Sequence, residues 1–439
     1  MFNQTIDSNA TQRKTMTGTM TIALIAATSL TAMLQTARAG DLNPPVGPIA
    51  PTMKNLNDVS PRQVLRNDFD TLTPIVIDTP GSYYLGENIM ALPGQNGIEI
   101  TASNVTLDLN GFGVFGNLEV VSPTGILVSS AQADIEIKNG SVKNFAESGV
   151  DANLASYSRV EGIRSDSNGV SGIIVGAGGT VNDCTAANNG SYGIRASVDG
   201  TVSDCAVRSN GQSGIRAFNG TVVNRCSSRA NTEHGILIAK GAVVTECAAY
   251  GNGMNGIETG DGATVSQCST RSNTESGIRA GNGSLITNCS SVQNGLHGIY
   301  ANNGSVIAQC VARLNGDNGI NAFDANTVIG CSAQSNGGSG VEVDDGCTVA
   351  NSTFANNNYV GLQADSALAV SNSTAFQNTT GFYVLESGGN FTGCMAYDNS
   401  YAGIINSYGG VISSSTAYGN DSSEVYAPAT EIHMSYPAP

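Results

Sequence analysis

Asparagine recurs at a fixed interval of 21 residues from Asn168 through Asn189, Asn210 and Asn231 to Asn420, thirteen times with no gap. Composition bias does not produce a single uninterrupted register. A period in this range is the mark of a solenoid, in which each repeat packs only on its neighbours. Within one repeat, such as Gly214 to His234, short β-branched runs alternate and are broken by Asn-Gly and Ser-Gly. That is strand and turn punctuation, with no apolar spacing of helical type. A helical repeat is usually longer and richer in Leu and Glu, and a leucine-rich repeat needs a Leu framework that this chain lacks. The expectation is an all-β solenoid of short parallel strands.

Three further columns share the interval. Cys stands at 184, 205, 226, 247, 268, 289, 310 and 331, and the line continues through Ser352, Ser373, Cys394 and Ser415. Three residues earlier runs a mostly branched apolar column, from Val181 and Val202 to Phe391 and Ile412. A Gly-Ile pair opens most repeats, as in Gly193-Ile194 and Gly235-Ile236, and drifts to Gly340-Val341, Gly361-Leu362 and Gly381-Phe382. Like residues then stack every coil at about 4.8 Å, and about fifteen coils from Gly97 to Gly403 make a rod of roughly 70 Å. Val and Ile fill a narrow core, while Ala and Cys suit its corners. The Asn column is expected at a left-handed backbone position with its amides bonded coil to coil, an asparagine ladder. The 54 glycines are expected to supply positive φ at the turns.

The Gly-Ile, Asn-Gly and apolar-x-x-Cys pattern resembles the right-handed parallel β-helix of the pectate-lyase-like superfamily, over roughly residues 96–420. That resemblance implies the fold and little about chemistry, since the fold carries lyases, hydrolases, epimerases and proteins without catalysis.

The first forty residues have the form of an export signal. Arg13 and Lys14 are a basic start, Thr21 to Leu34 an apolar run, and Ala37-Arg38-Ala39 a small-x-small cleavage site. The apolar run is too short to span a bilayer, so no transmembrane segment is expected in the mature chain. Removing residues 1–39 leaves 16 basic and 34 acidic residues, a net charge of −18, which disfavours nucleic acid and anionic membranes as partners. An exported protein, periplasmic, surface-bound or secreted, is expected. Residues 40–95 read as a Pro-rich linker followed by an N-terminal cap, because a bare first coil invites aggregation. Residues 421–439 read as a C-terminal cap and tail.

Ten cysteines in an exported chain suggest disulfides. In-register stacking, however, holds Cβ atoms farther apart than the usual 3.5–4.5 Å of a bridge, and Ser replaces Cys at three coils. Buried free thiols are expected. His234 and His297 share a column three coils apart, too far for a common zinc. The His-Gly pairs are similar to a motif of pectin-hydrolysing β-helices, but that family's companion segments are missing, so no hydrolase site is carried over.

Outward-facing stripes offer the candidate sites. Arg195, Arg216 and Arg279, with Tyr300, follow the inward Ile on one face, and Glu258 shares their column. Cations in this pattern can neutralise the carboxylates of a uronic-acid polymer while a base such as Glu258 takes a proton. These four positions, together with Tyr300, are the candidate substrate-binding and catalytic residues. Arg208, Arg229, Arg271 and Arg313, with Tyr250, form a second stripe. After Arg313 there is no Lys or Arg but there are eleven acids. Asp324, Glu342, Asp344, Asp345 and Asp365 fall on neighbouring columns, and oxygen-rich clusters of this kind suit Ca²⁺. The bland reading of Asp345-Gly346 is one more turn.

Three functional classes follow. The regularity of the coils between Gly172 and Gln377 favours a non-catalytic exported protein that binds polysaccharide or builds a surface or matrix. A polysaccharide lyase on the Arg stripe is the alternative. An ice- or surface-binding face on Thr185, Ser227, Ser269, Ser290, Ser332, Thr353 and Thr374 ranks last, because regular Thr-x-Thr pairs are lacking.

Overall fold

A computed structural model describes residues 62–67, 74–116, 122–428 and 430–433. All belong to the second of two units, Ser60–Pro439. The expected export signal (1–39), nearly all of the Pro-rich linker and the last residues of the tail lie outside the described residues. Among the described residues no helix is long and apolar enough to cross a membrane.

Each coil is built from three short strands. In the coil that opens at Gly193 these are Ile194–Ala196, Thr201–Ser203 and Ala206–Arg208. Alternation sends Ile194, Ala196, Val202 and Val207 inward, all at most 1% exposed, and leaves Arg195, Thr201 and Arg208 outside. In the regular coils each strand pairs in parallel with its counterpart 21 residues on: Ile194 with Ile215, Val202 with Val223, Val207 with Ser228. The Ile strands form one sheet of seventeen, from Ile75–Ile77 to Ser423–Tyr426. The other two strands of each coil share a second sheet that folds at the Cys corner.

Stacking extends past the boundaries expected from the repeat. Ile75–Ile77 already pairs with Ile98–Ile100, and Gly81–Leu85 with the strand at Val105. Residues 75–95, read as cap, therefore carry the first coil. Before it, Arg62–Leu65 lies parallel on Ser82–Leu85. At the other end, Ser423–Tyr426 and Glu431–His433 still pair with the last full coil. The cue was missed because these end coils lack the 21-residue columns.

The asparagine ladder is present, though not at the expected backbone conformation. The left-handed residue is the one before each ladder position: Ser209 (φ 54°), Ala230 (53°), Ser272 (53°) and Leu314 (57°). That bend turns the next side chain inward, where Asn189 Nδ2 donates to Asn210 Oδ1 (3.0 Å), Asn210 to Asn231 (2.9 Å), and so on to Asn399 and Asn420 (2.8 Å). The same oxygen also accepts the preceding Asn backbone N–H, as between Asn252 N and Asn273 Oδ1 (3.1 Å). Buried amides are thereby satisfied on both sides.

Glycine supplies only part of the positive φ. Arg225 (49°), Glu246 (54°) and Leu314 (57°) occupy left-handed corners too, at about 1 kcal/mol or more each. Hydrogen bonds to the next coil offset this, such as Arg225 N to Thr245 O at 3.1 Å. The Gly of each Gly-Ile pair is needed for space instead. A Cβ on Gly235 would sit 2.5 Å from Gly256 O and 2.7 Å from Asn252 Nδ2.

All ten cysteines are free and buried. Ladder thiols donate to backbone carbonyls, Cys205 to Ser203 O at 3.1 Å for example. Burial pushes Cys347 and Cys394, which stand apart from the run of eight, up to about 11.

Candidate functional site

The outward column of the Ile sheet reads Ile174, Arg195, Arg216, Leu237, Glu258, Arg279, Tyr300, Asn321, Glu342 and Gln363, each directly beside the next. The structure therefore brings Arg195 and Arg216 together, and Glu258, Arg279 and Tyr300 together, on one face. Leu237 separates the two groups.

Phe218 organises the first group. It stands two residues after Arg216, and both guanidiniums lie over its ring, Arg195 at 5.4 Å and Arg216 at 5.2 Å from the centroid. The ring orients the cations without neutralising them, since cation–π attraction leaves guanidinium N–H groups for another acceptor. Among the described residues no carboxylate forms an ion pair with Arg195, Arg216 or Arg279. A hollow of about 310 Å³ opens here, lined by Ile174, Tyr192, Arg195, Arg216 and Phe218 with Val170, Ser171 and Ser191.

The second group is a mixed cluster. Arg279 lies 5.2 Å over Tyr300, which also meets His297 (5.7 Å) and the edge of Phe323 (5.3 Å). Glu258 Oε2 accepts from Asn255 Nδ2 at 2.8 Å and lies 3.3 Å from His234 Nδ1. That last approach is off the hydrogen-bond axis, and His234 Nδ1 is buried without a hydrogen-bond partner, as is His297 Nδ1. Burial lowers the pKa of His297 against the opposing pull of Asp317 and Glu342, which keeps the imidazole neutral near pH 7. The sequence places the two histidines in one column three coils apart but gives no sign that each ring turns toward this face.

The acidic residues are in use elsewhere. Asp324 Oδ1 accepts Asp345 N (3.3 Å) and its Oδ2 accepts Asn303 Nδ2 (3.0 Å). Asp345 accepts Ser366 Oγ, and Glu342 accepts Asn318 Nδ2 (2.6 Å). Asp324 and Asp345 tie one coil to the next at a corner, and Glu342 does so from the Ile-sheet face. They remain close enough to act on one another: partial burial, then Asp365, Asp324, Glu342 and Asp345, raise the pKa of Asp344. Among the described residues, however, no three His, Cys, Asp or Glu side chains are grouped so as to hold a metal ion.

The second stripe is also in register. Arg208, Arg229, Tyr250, Arg271, Val292, Arg313 and Gln334 follow one another on the third strand. Arg229 donates to the Tyr250 hydroxyl and lies 5.3 Å over its ring. The same column ends in Phe376, Tyr397 and Tyr418, stacked face to face at 4.9 and 5.4 Å. Sequence reading missed this trio although its 21-residue spacing was visible.

With fold and faces established, the class is plain: a parallel β-solenoid with three strands and three left-handed corners per coil. A family model described as the right-handed β-helix region matches residues 75–224 and 218–359. The chain belongs to that family. Among solved structures it is similar to the A-module of a mannuronan C-5 epimerase of Azotobacter vinelandii, at 14% identity over 80% of this chain and 91% of that one, TM-score 0.37. It is also similar to a periplasmic alginate epimerase (11% identity, 79% of each chain, TM-score 0.38) and to the catalytic domain of an α-1,3-glucanase (9%, 84% and 69%, TM-score 0.31). No curated protein matches it by sequence.

Proposed function

We propose that this is an exported, non-catalytic protein that binds an acidic polysaccharide along its Ile-sheet face. The observation that carries the reading is the Arg195–Phe218–Arg216 cluster, in which two cations are oriented by one ring and, among the described residues, paired with no carboxylate. A polyuronate lying along the coils would meet a cation at neighbouring steps of about 4.8 Å. Each carboxylate would then accept charge-assisted hydrogen bonds from guanidinium, the geometry in which Arg is most effective. Coils around the cluster keep their 21-residue length, so no inserted loop closes over a substrate. That supports binding over catalysis.

One observation favours a lyase as the second reading. Glu258 and His234 sit between the levels of Arg216 and Arg279, a base beside cations. Two measurements separate the readings. Affinity electrophoresis in gels containing pectate or alginate, with and without calcium, should show retardation that Arg195→Ala/Arg216→Ala reduces at least tenfold, from about 1.5–3 kcal/mol per charged hydrogen bond. Release of unsaturated, ultraviolet-absorbing products that Arg216→Ala and Glu258→Gln abolish would instead establish the lyase. Unretarded migration of the wild type in every gel, with no product, would end both.

A further inference from the structure

The regular array breaks once it nears its C-terminal end, and a cleft opens at the break. Successive Gly positions 340, 361, 381 and 403 are 21, 20 and 22 residues apart. The Ile-sheet strands lengthen there from the usual three residues to Val360–Ser366 and Thr380–Ser387, with a register shift after Ala364. Beneath them the core changes from Val, Ile and Cys to Phe354, Phe382 and Phe391, all fully buried and packed edge to face at 6.3 and 5.6 Å. Bulges of this kind re-aim side chains and gather at functional sites.

The surface above is aromatic. Tyr383, Ile405 and Tyr426 lie side by side on three consecutive coils, and Tyr401 rises from the adjoining turn. With Thr380, Ser407 and Ser423 they line a hollow of about 570 Å³. Among the described residues none of these three rings is stacked on another aromatic side chain, and Tyr401 and Tyr426 are 53% and 57% exposed. The Phe376–Tyr397–Tyr418 column, by contrast, has its ring faces occupied by one another.

We infer that this cleft is a binding site for the pyranose ring of an uncharged hexose polymer. Tyrosines two coils apart, about 10 Å, with apolar Ile405 between them, offer ring faces for the C–H face of a sugar. The hydroxyls of Thr380, Ser407, Ser423 and the tyrosines can meet its rim. Charge fixes the class of sugar. Beyond Arg313 the chain has eleven acids and no Lys or Arg, so a uronate would be repelled where a neutral hexose is not. The site does not depend on the Arg195–Phe218–Arg216 cluster: Tyr383 lies eight coil steps beyond Arg216 in the same outward column.

The test is calorimetric titration of the mature chain with cellohexaose, laminarihexaose, maltohexaose and mannohexaose, and with oligogalacturonate as the charged comparison. At least one neutral probe should bind. Tyr426→Ala should weaken that binding about tenfold, with Tyr426→Phe close to wild type, Tyr418→Ala unchanged, and oligogalacturonate failing to compete. Should Tyr426→Ala not fold, Tyr401→Ala, in an exposed turn, reads the same loss. The inference is overturned if no neutral probe binds at millimolar concentration, if Tyr418→Ala weakens binding as much as Tyr426→Ala, or if the cleft variants change only self-association.

Discussion

Replacing Asn273 by Ala removes one step of the asparagine ladder, and the loss can be worked out bond by bond. The Asn273 side chain is 1% exposed. Its Oδ1 accepts Asn252 N (3.1 Å) and Asn252 Nδ2 (2.9 Å), and its Nδ2 donates to Ala249 O (3.1 Å) and Asn294 Oδ1 (2.9 Å). Four hydrogen bonds disappear, at a net of about 1 kcal/mol each. The Asn252 backbone N–H is left dry and unpaired, which adds about 1–3 kcal/mol. The expected cost is about 5–7 kcal/mol. Asn420 is the control: it ends the ladder and is only half-buried, so water replaces what Ala removes and the cost falls to about 1 kcal/mol. Because a solenoid is coupled mainly between neighbours, urea unfolding should be combined with hydrogen-exchange mass spectrometry. Protection should fall first in peptides covering residues 249–294. Equal costs for Asn273→Ala and Asn420→Ala, or a loss spread evenly along the chain, would refute the reasoning.

Gly235→Ala should destabilise by about 3 kcal/mol, because its Cβ meets backbone of the next coil. Gly262→Ala, with φ +67° and nothing within 4 Å, should cost only about 1 kcal/mol, measured by the same urea titration. A maleimide should label none of the ten cysteines in the native protein and all of them after unfolding, read by mass spectrometry. Asp344 carries a raised pKa, so the folded state holds its proton more tightly than the unfolded one. The stability this gives is full below the ordinary carboxylate pKa and is lost as pH rises through the raised value. Asp344→Asn should therefore raise the melting temperature at pH 7 and leave it unchanged in acid, a modest effect because the group is largely solvated.

Legibility differed between form and use. Backbone stacking needs nothing but a repeated length, so one interval of 21 was enough to place the Asn, Cys, Val and Gly-Ile columns and the arginine stripes on their faces. The ladder's φ was misassigned because a 21-residue period locates a column without saying which of two adjacent residues bends. That the rings of His234 and His297 turn toward the Ile-sheet face was not legible, because ring orientation depends on neighbours three and more residues away.

What the sequence determined by itself is the register, since like residues must stack when every coil has one length. Tertiary structure alone decided how the outward side chains meet. It placed Phe218 beneath two guanidiniums from different coils, and it tied the corner acids into hydrogen bonds along the solenoid. It also opened the tyrosine cleft where the spacing slips to 20 and then 22 residues. Tyr383, Tyr401 and Tyr426 share no common interval, and only the lengthened strands over a phenylalanine core bring them together.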